Sequence, residues 1–135
     1  MVCLHTHYLH VEYHEQDNVL ISQWYGNCSS LQYRQALILS LRLARDYHIN
    51  YAVTDRRLLP PLSESDVTWT TEVYHKALKL LPIKRFAIIR SFNEEAEQQQ
   101  ANLIENRIST TNIETRAFED LTSAYEWIVT PVKAR

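Results

Sequence analysis

Glycine is nearly absent from this chain of 135 residues, which has one, Gly26. Nucleotide-binding loops need several glycines, because their successive backbone N–H groups must approach the phosphates closely. The sequence therefore excludes a P-loop and a GxGxxG dinucleotide fingerprint. Cysteine is scarce too, since Cys3 and Cys28 are too few for a disulfide framework. We expect both to be reduced thiols.

Long apolar runs and an excess of basic residues are also missing. No run approaches the roughly 20 apolar residues of a membrane-spanning helix, and residues 1–10 lack the basic start and apolar middle of a secretory signal. The 14 basic residues are balanced by 16 acidic ones, for a net charge of −2. Since phosphate binding needs a basic surface, we expect a cytoplasmic protein with no membrane span and no nucleic-acid partner.

The chain does contain enough apolar residues for one core, because 45% of its residues are hydrophobic and 22% are charged. We predict a single domain over residues 1–135, with an ordered core from about 8 to 129. Its organising segment is residues 49–57, an apolar run that ends in one acid and two cations. The run is too short for a helix and rich in strand formers, so it predicts a central strand with Asp55 at its carboxyl end.

Hydrophobic periodicity predicts the other elements. Residues 8–14 and 19–25 alternate as a β-hairpin, and residues 85–90 and 113–118 are typical of buried strands. Helices are predicted over 31–47, from 63 to Pro82, from 93 to about 109, and after Asp120. This order predicts an α/β fold with a mostly parallel five-stranded sheet, an N-terminal β-hairpin and four helices on both faces.

Apolar spacing also predicts which side of two helices is buried. In the second helix the predicted stripe is Trp69, Val73, Ala77 and Leu80. In the third helix it is Ala101, Ile104 and Ile108.

A series of short motifs occurs in a specific order along the chain. They are Trp24-Tyr25-Gly26, Tyr33-Arg34-Gln35-Ala36, Asp55-Arg56, Asp66, Trp69, Lys84-Arg85-Phe86-Ala87 and Ala124-Tyr125-Glu126-Trp127-Ile128. From about residue 8 to 129 the chain resembles the SpoIIAA-like proteins, which are related to the STAS domains of anti-sigma-factor antagonists. The resemblance implies a compact, non-enzymatic signalling module that binds a protein or a small ligand.

The chain departs from true antagonists in the loop after the middle strand. In those proteins an Asp-Ser pair carries the serine whose phosphorylation breaks the partner complex, whereas here Arg56 and Arg57 follow Asp55. Ser63 and Ser65 stand at the start of the same helix. Whether either serine is phosphorylated stays open.

The candidate site lies where open α/β sheets bind ligands, outside the carboxyl ends of the strands. The predicted binding residues are Asp55, Arg56, Arg57, Leu58, Leu62, Ser63, Ser65, Trp69 and Arg90. The first hypothesis is a protein partner, recognised through the loop and helix after the central strand. The alternative is a small-molecule carrier, with an apolar ligand between Leu58, Leu59, Leu62 and Trp69 and its head group on the arginines. The plainer interpretation is that Asp55 pairs with an arginine.

No catalytic residue, metal or cofactor is predicted. A phosphorelay receiver is rejected, because the predicted strand over residues 19–25 ends in Trp24-Tyr25-Gly26 rather than in the acids that would hold its metal. His10, Glu12 and His14 share a strand face, but residues two apart in a strand lie about 6.5 Å apart along a line. Cys28 precedes a helix without a histidine assigned nearby. Metal binding by the His-rich N-terminus and a homodimer both stay open.

Overall fold

The fold is a six-stranded sheet whose strand order follows the chain. In a computed structural model, residues 1–106 and 112–133 are described, without the side chains of residues 104–106 and 131–133. The strands are β1 (Val2–His5), β2 (Leu9–His14), β3 (Val19–Trp24), β4 (Tyr51–Asp55), β5 (Arg85–Ile89) and β6 (Glu114–Phe118). The helices are α1 (Ser30–Asp46), α2 (Glu64–Trp69), α3 (His75–Leu78), α4 (Glu94–Asn106) and α5 (Leu121–Lys133), with a π turn over Thr70–Tyr74 that joins α2 to α3.

The α/β architecture and the N-terminal hairpin are as predicted. β2 and β3 pair antiparallel, and β3 to β6 pair parallel, with β4 between β3 and β5. The sheet has six strands rather than five, because β1 adds to β2 as an edge strand, with His5 opposite His10. The first strand therefore lies before residue 8, where no element was predicted. At the other end, α5 continues to Lys133, beyond the predicted limit of 129.

The sequential strand order determines which face each helix covers. Every parallel connection from β3 to β6 steps in the same direction, so right-handed crossovers place α1, α2–α3 and α4 on one face. The core on that face contains Leu20, Trp24, Tyr33 and Phe86. On the opposite face, α5 packs on a second core that includes Val53.

The π turn changes which residues of the second helix are buried. Thr70 and His75 are both buried although they are five residues apart, since a π turn adds one residue to the helical repeat. The predicted stripe is therefore wrong at two positions: Val73 is 44% exposed and Leu80, beyond the end of α3, is 87% exposed.

The buried side of α4 also differs from the predicted one. Ala96, Gln100 and Leu103 are buried, whereas Ala101 is exposed. The polar Gln100 at a buried position explains why apolar spacing failed here. The Ile104 side chain and Ile108 lie outside the described part of the chain.

Candidate functional site

Asp55 and Arg57 form an ion pair at the carboxyl end of β4. Asp55 is buried and accepts hydrogen bonds from Arg57 Nε at 3.0 Å, Nη2 at 2.6 Å and the backbone N–H at 3.1 Å. The hydrogen bond to Asp55 raises the pKa of the Arg57 guanidinium. Asp55 therefore pairs with an arginine, as the plainer interpretation expects. The two opposite charges neutralise each other.

Arg90, at the end of β5, is also engaged by acids. Its Nη1 donates to Glu119, and its Nε lies 3.7 Å from a carboxylate oxygen of Glu97. Arg90 and Arg57 consequently carry no free charge for a shared anion at the sheet edge.

Arg56 points to the opposite side of the strand, into the interior beneath α1 and the π turn. Arg56 is only 7% exposed, and its Nε and Nη2 have no hydrogen-bond partner among the described residues. Burial lowers the pKa of this guanidinium, whereas the charges of Tyr33, Glu97 and Tyr74 and a side-chain hydrogen bond with Tyr33 oppose that effect. Arg56 is thus a buried cation with two donor nitrogens that have no partner among the described residues.

Arg56 lines an enclosed chamber of about 30 Å³. Its walls are Trp24, Tyr33, Leu37, Thr54, Arg56, Thr70, Tyr74, His75, Phe86 and Gln100. A second enclosed chamber of about 30 Å³ adjoins it and shares five of these walls, namely Trp24, Leu37, Thr54, Tyr74 and Phe86. The rest of the second chamber is mostly aliphatic. We call the two the Arg56 chamber and the aliphatic chamber.

The loop after β4 is closed and fixed in place. Leu59 is 2% exposed, and its carbonyl accepts a hydrogen bond from Ser91 Oγ at 3.2 Å. Gln99 of α4 binds both backbone groups of Leu62, accepting from the N–H at 2.8 Å and donating to the carbonyl at 2.9 Å. Leu58 is the outward residue, 53% exposed.

Ser63, Ser65 and Trp69 take part in packing between α1 and α2. Ser63 caps α2 by accepting from the Asp66 N–H at 3.1 Å, and Ser65 Oγ accepts from Arg34 Nη2 at 2.9 Å. The Arg34 guanidinium lies 5.5 Å from the ring centroid of Trp69. The predicted apolar space between Leu58, Leu59, Leu62 and Trp69 is filled by packing, because Leu59, Leu62 and Trp69 belong to or pack against the same core, whereas Leu58 is exposed.

A surface groove of about 750 Å³ runs between α2 and α4. Its lining residues are Leu62, Glu64, Val67, Thr71, Glu95, Gln99, Asn102 and Leu103. Leu62, Val67 and Leu103 are apolar, Glu64 and Glu95 are acidic, and none of the described lining residues is basic. We call this surface the α2–α4 groove. Leu62 is its one residue that sequence reasoning assigned to the site.

Sequence reasoning missed the rest of the groove for a physical reason. Glu95, Gln99 and Leu103 recur every four residues, which marks one side of a helix. The Glu64, Val67 and Thr71 spacing does the same for α2 and the π turn that continues it. Nothing in either pattern says that the two sides face each other across a gap.

Two other sets of reactive side chains have structural explanations. Burial raises the pKa of the Cys28 thiol, and Asp66 acts in the same direction, so this cysteine is not an activated nucleophile. Glu12 lies within 3.2 Å of His10 Nε2 and 3.1 Å of His14 Nε2. Among the described residues, no three His, Cys, Asp or Glu side chains are placed to hold a metal ion. The described helices are also too short or too polar to cross a membrane.

Comparison with known proteins establishes the fold. No family model matches the chain, and no curated protein is significantly similar to it. The structure is similar to that of an uncharacterized protein of the DUF3478 family from Shewanella loihica PV-4, described as having a SpoIIAA-like fold. The two align with a TM-score of 0.59 and 24% identity over 93% of this chain and 97% of that one. The chain therefore has a SpoIIAA-like fold, as its motifs predict.

Proposed function

We propose that this protein is a non-enzymatic binding module that recognises a cationic, amphipathic segment of a partner protein in the α2–α4 groove. The observation that carries the proposal is the lining of the groove. Apolar Leu62, Val67 and Leu103 can bury the apolar side of such a segment, while Glu64 and Glu95 attract lysines or arginines on its flanks. Complementary charge of this kind steers encounter and selects among partners.

The closed loop supports this function because it holds one wall of the groove in place. Leu62 ends the loop, and its backbone is fixed by Gln99, which itself lines the groove. A preformed wall lowers the conformational entropy lost on binding. The partner is thus recognised through the loop and helix that follow the central strand.

The alternative function, a carrier of an apolar or anionic small molecule in the groove at the strand ends, has less support from the structure. Such ligands occupy enclosed pockets of roughly 300 Å³ or more. The two enclosed chambers described above measure about 30 Å³ each. They can hold only a small group.

Affinity capture with matched valine variants tests the proposal. Val67→Ser changes the floor of the groove, whereas Val73→Ser changes an exposed valine of the π turn outside it. A true partner is captured by unmodified protein and by Val73→Ser, is lost with Val67→Ser, and slows amide hydrogen exchange in α2 and α4. A partner captured equally by both variants, with slowed exchange elsewhere, would contradict the proposal.

A further inference from the structure

We infer that the Arg56 chamber and the aliphatic chamber together form an internal binding site for a short-chain monocarboxylate. The carboxylate lies on the Arg56 guanidinium, and the hydrocarbon part occupies the aliphatic chamber. This site is inside the molecule and is independent of the α2–α4 groove, so it stands or falls separately from the proposed function.

The first argument is the state of Arg56. A buried cation loses its hydration, and this loss is costly unless an anion and hydrogen-bond acceptors replace the water. The charge of Glu97 acts on Arg56, but the Glu97 carboxylate accepts from the Ser91 N–H at 3.1 Å and lies 3.7 Å from Arg90 Nε. Neither Nε nor Nη2 of Arg56 has an acceptor among the described residues.

The second argument is the geometry of those two nitrogens. The Nε–H and one Nη2–H of a guanidinium point the same way and form a fork that matches the two oxygens of a carboxylate. Both members of this fork are the unpartnered atoms of Arg56. Thr54 and Gln100 also line the chamber and can bind the edges of the same group.

The third argument is size. A water-sized atom needs about 10–15 Å³ of free cavity volume. A chamber of about 30 Å³ therefore accepts two or three atoms. A carboxylate has three heavy atoms and fits, whereas a phosphate has five and does not.

The fourth argument is the lining of the neighbouring chamber. Besides the five shared residues, eight of its ten walls are aliphatic (Leu9, Leu20, Leu41, Ala44, Ala52, Leu78, Leu81 and Ile83), and the other two are Ser22 and Ser40. Aliphatic walls of this kind favour a hydrocarbon over water. Its volume of about 30 Å³ again admits two or three carbon atoms, which selects propionate and butyrate over long-chain acids.

Titration of the full chain with sodium butyrate tests the site. Butyramide has the same shape without the charge, and sodium chloride supplies a simple anion at equal ionic strength. We expect saturable butyrate binding that raises the melting temperature, and no such effect from butyramide or chloride. An equal response to butyrate and chloride, or to butyrate and butyramide, would overturn the inference.

Variants identify the residue responsible. Arg56→Met should weaken butyrate binding at least about tenfold, the loss expected for charge-assisted hydrogen bonds. Arg42→Met, which removes an exposed arginine of α1, should leave the affinity unchanged. Retained butyrate binding in Arg56→Met would contradict the assignment. Should that variant not fold, the Nε–H resonance of Arg56 in ¹⁵N-labelled unmodified protein decides, since it must shift with butyrate and stay fixed with butyramide.

Discussion

Asp66 is the residue that connects α1 to α2. Its carboxylate accepts from Ser30 Oγ at 2.7 Å, from Arg34 Nε at 2.9 Å, and its backbone N–H donates to the cap Ser63. Burial alone would raise the pKa of Asp66, but hydrogen bonds from Ser30, Arg34 and Ser63 hold it below its ordinary value. The ionised form is therefore the one that the fold stabilises.

Asp66→Asn should lower the free energy of unfolding at pH 7 by about 2 kcal/mol, the typical value of hydrogen bonds to a charged group. The pKa of Asp66 is lower in the folded protein than in the unfolded chain, where it is about 3.9. The stabilisation by ionised Asp66 is therefore complete above the unfolded pKa and is lost as the pH falls through the folded pKa. Urea unfolding at pH 7 and pH 3 measures the change. The exposed Asp46→Asn is the control and should change the free energy of unfolding by less than about 0.5 kcal/mol at both pH values. If Asp66→Asn lowers the free energy of unfolding by the same amount at pH 7 and pH 3, the account is contradicted.

Because glycine is scarce, two other residues adopt backbone conformations that glycine usually takes. Asn18 and His48 adopt left-handed backbone conformations, with φ of 58° and 51°. Glycine would adopt this region without steric cost. Asn18 compensates through its side chain, which donates to the His48 carbonyl at 3.1 Å and to Asn50 Oδ1 at 2.9 Å. His48 is exposed and follows the end of α1.

His48→Gly should therefore raise the free energy of unfolding by about 0.5–1 kcal/mol, because it relieves the strain of the left-handed conformation. Arg42→Gly in the exposed middle of α1 should lower the same quantity by about 1 kcal/mol. Thermal unfolding of the two variants gives the comparison. Opposite signs are expected, and destabilisation by both would show that the His48 side chain has a further role.

At the scale of elements, the loop after β4 depends on α4. The side-chain amide of Gln99 forms hydrogen bonds with both the N–H and the carbonyl of Leu62, as a neighbouring strand would do through its backbone. Pro60 and Pro61 precede Leu62 and prevent the loop from forming a regular helix. One glutamine thus fixes the loop that opens α2.

Gln99→Leu should expose the Leu62 N–H to exchange, because leucine has a similar volume but accepts no hydrogen bond. We expect faster amide exchange at Leu62 and a loss of about 1–2 kcal/mol in the free energy of unfolding. Gln98→Leu, an exposed neighbour, should change neither quantity. Unchanged exchange at Leu62 in Gln99→Leu would show that the loop is held by other contacts.

The elements also show where prediction from sequence ends. Strands β2 to β6 were predictable because each alternates or is apolar throughout. β1 has four residues, of which only Cys3 and Leu4 are partly buried, so it lacked a usable pattern. The π turn left no apolar signal either, and it moved Val73 out of the predicted stripe.

At the scale of the molecule, the sheet edge was predictable and the interior site was not. The position of Asp55 at a strand end and its pairing with an arginine are local properties of residues 55–57. The orientation of Arg56 follows only if strand alternation is continued one residue past β4, opposite to Asp55 and Arg57. Its burial then depends on α1, the π turn and α4, which come from separate segments of the chain.

The α2–α4 groove is likewise a property of the whole molecule. Right-handed crossovers place α2 and α4 side by side on one face, and neither helix alone has the complete surface. The groove joins the loop after β4 to a helix that begins about 30 residues later in the chain. The binding function proposed here depends on that arrangement.

The most direct measurement is the affinity of the protein for a synthetic amphipathic peptide of leucine and lysine, with an equal peptide of leucine and glutamate as control. Glu64→Lys/Glu95→Lys reverses the charge of the groove. Glu15→Lys/Glu126→Lys makes the same change of net charge at exposed positions away from it.

Calorimetric titration at moderate salt should show that unmodified protein and Glu15→Lys/Glu126→Lys both bind the lysine peptide. Glu64→Lys/Glu95→Lys should bind the same peptide at least about tenfold more weakly. The glutamate peptide should not bind. Equal weakening by the two double variants would mean that net charge alone attracts the peptide, and it would contradict the groove as the binding site.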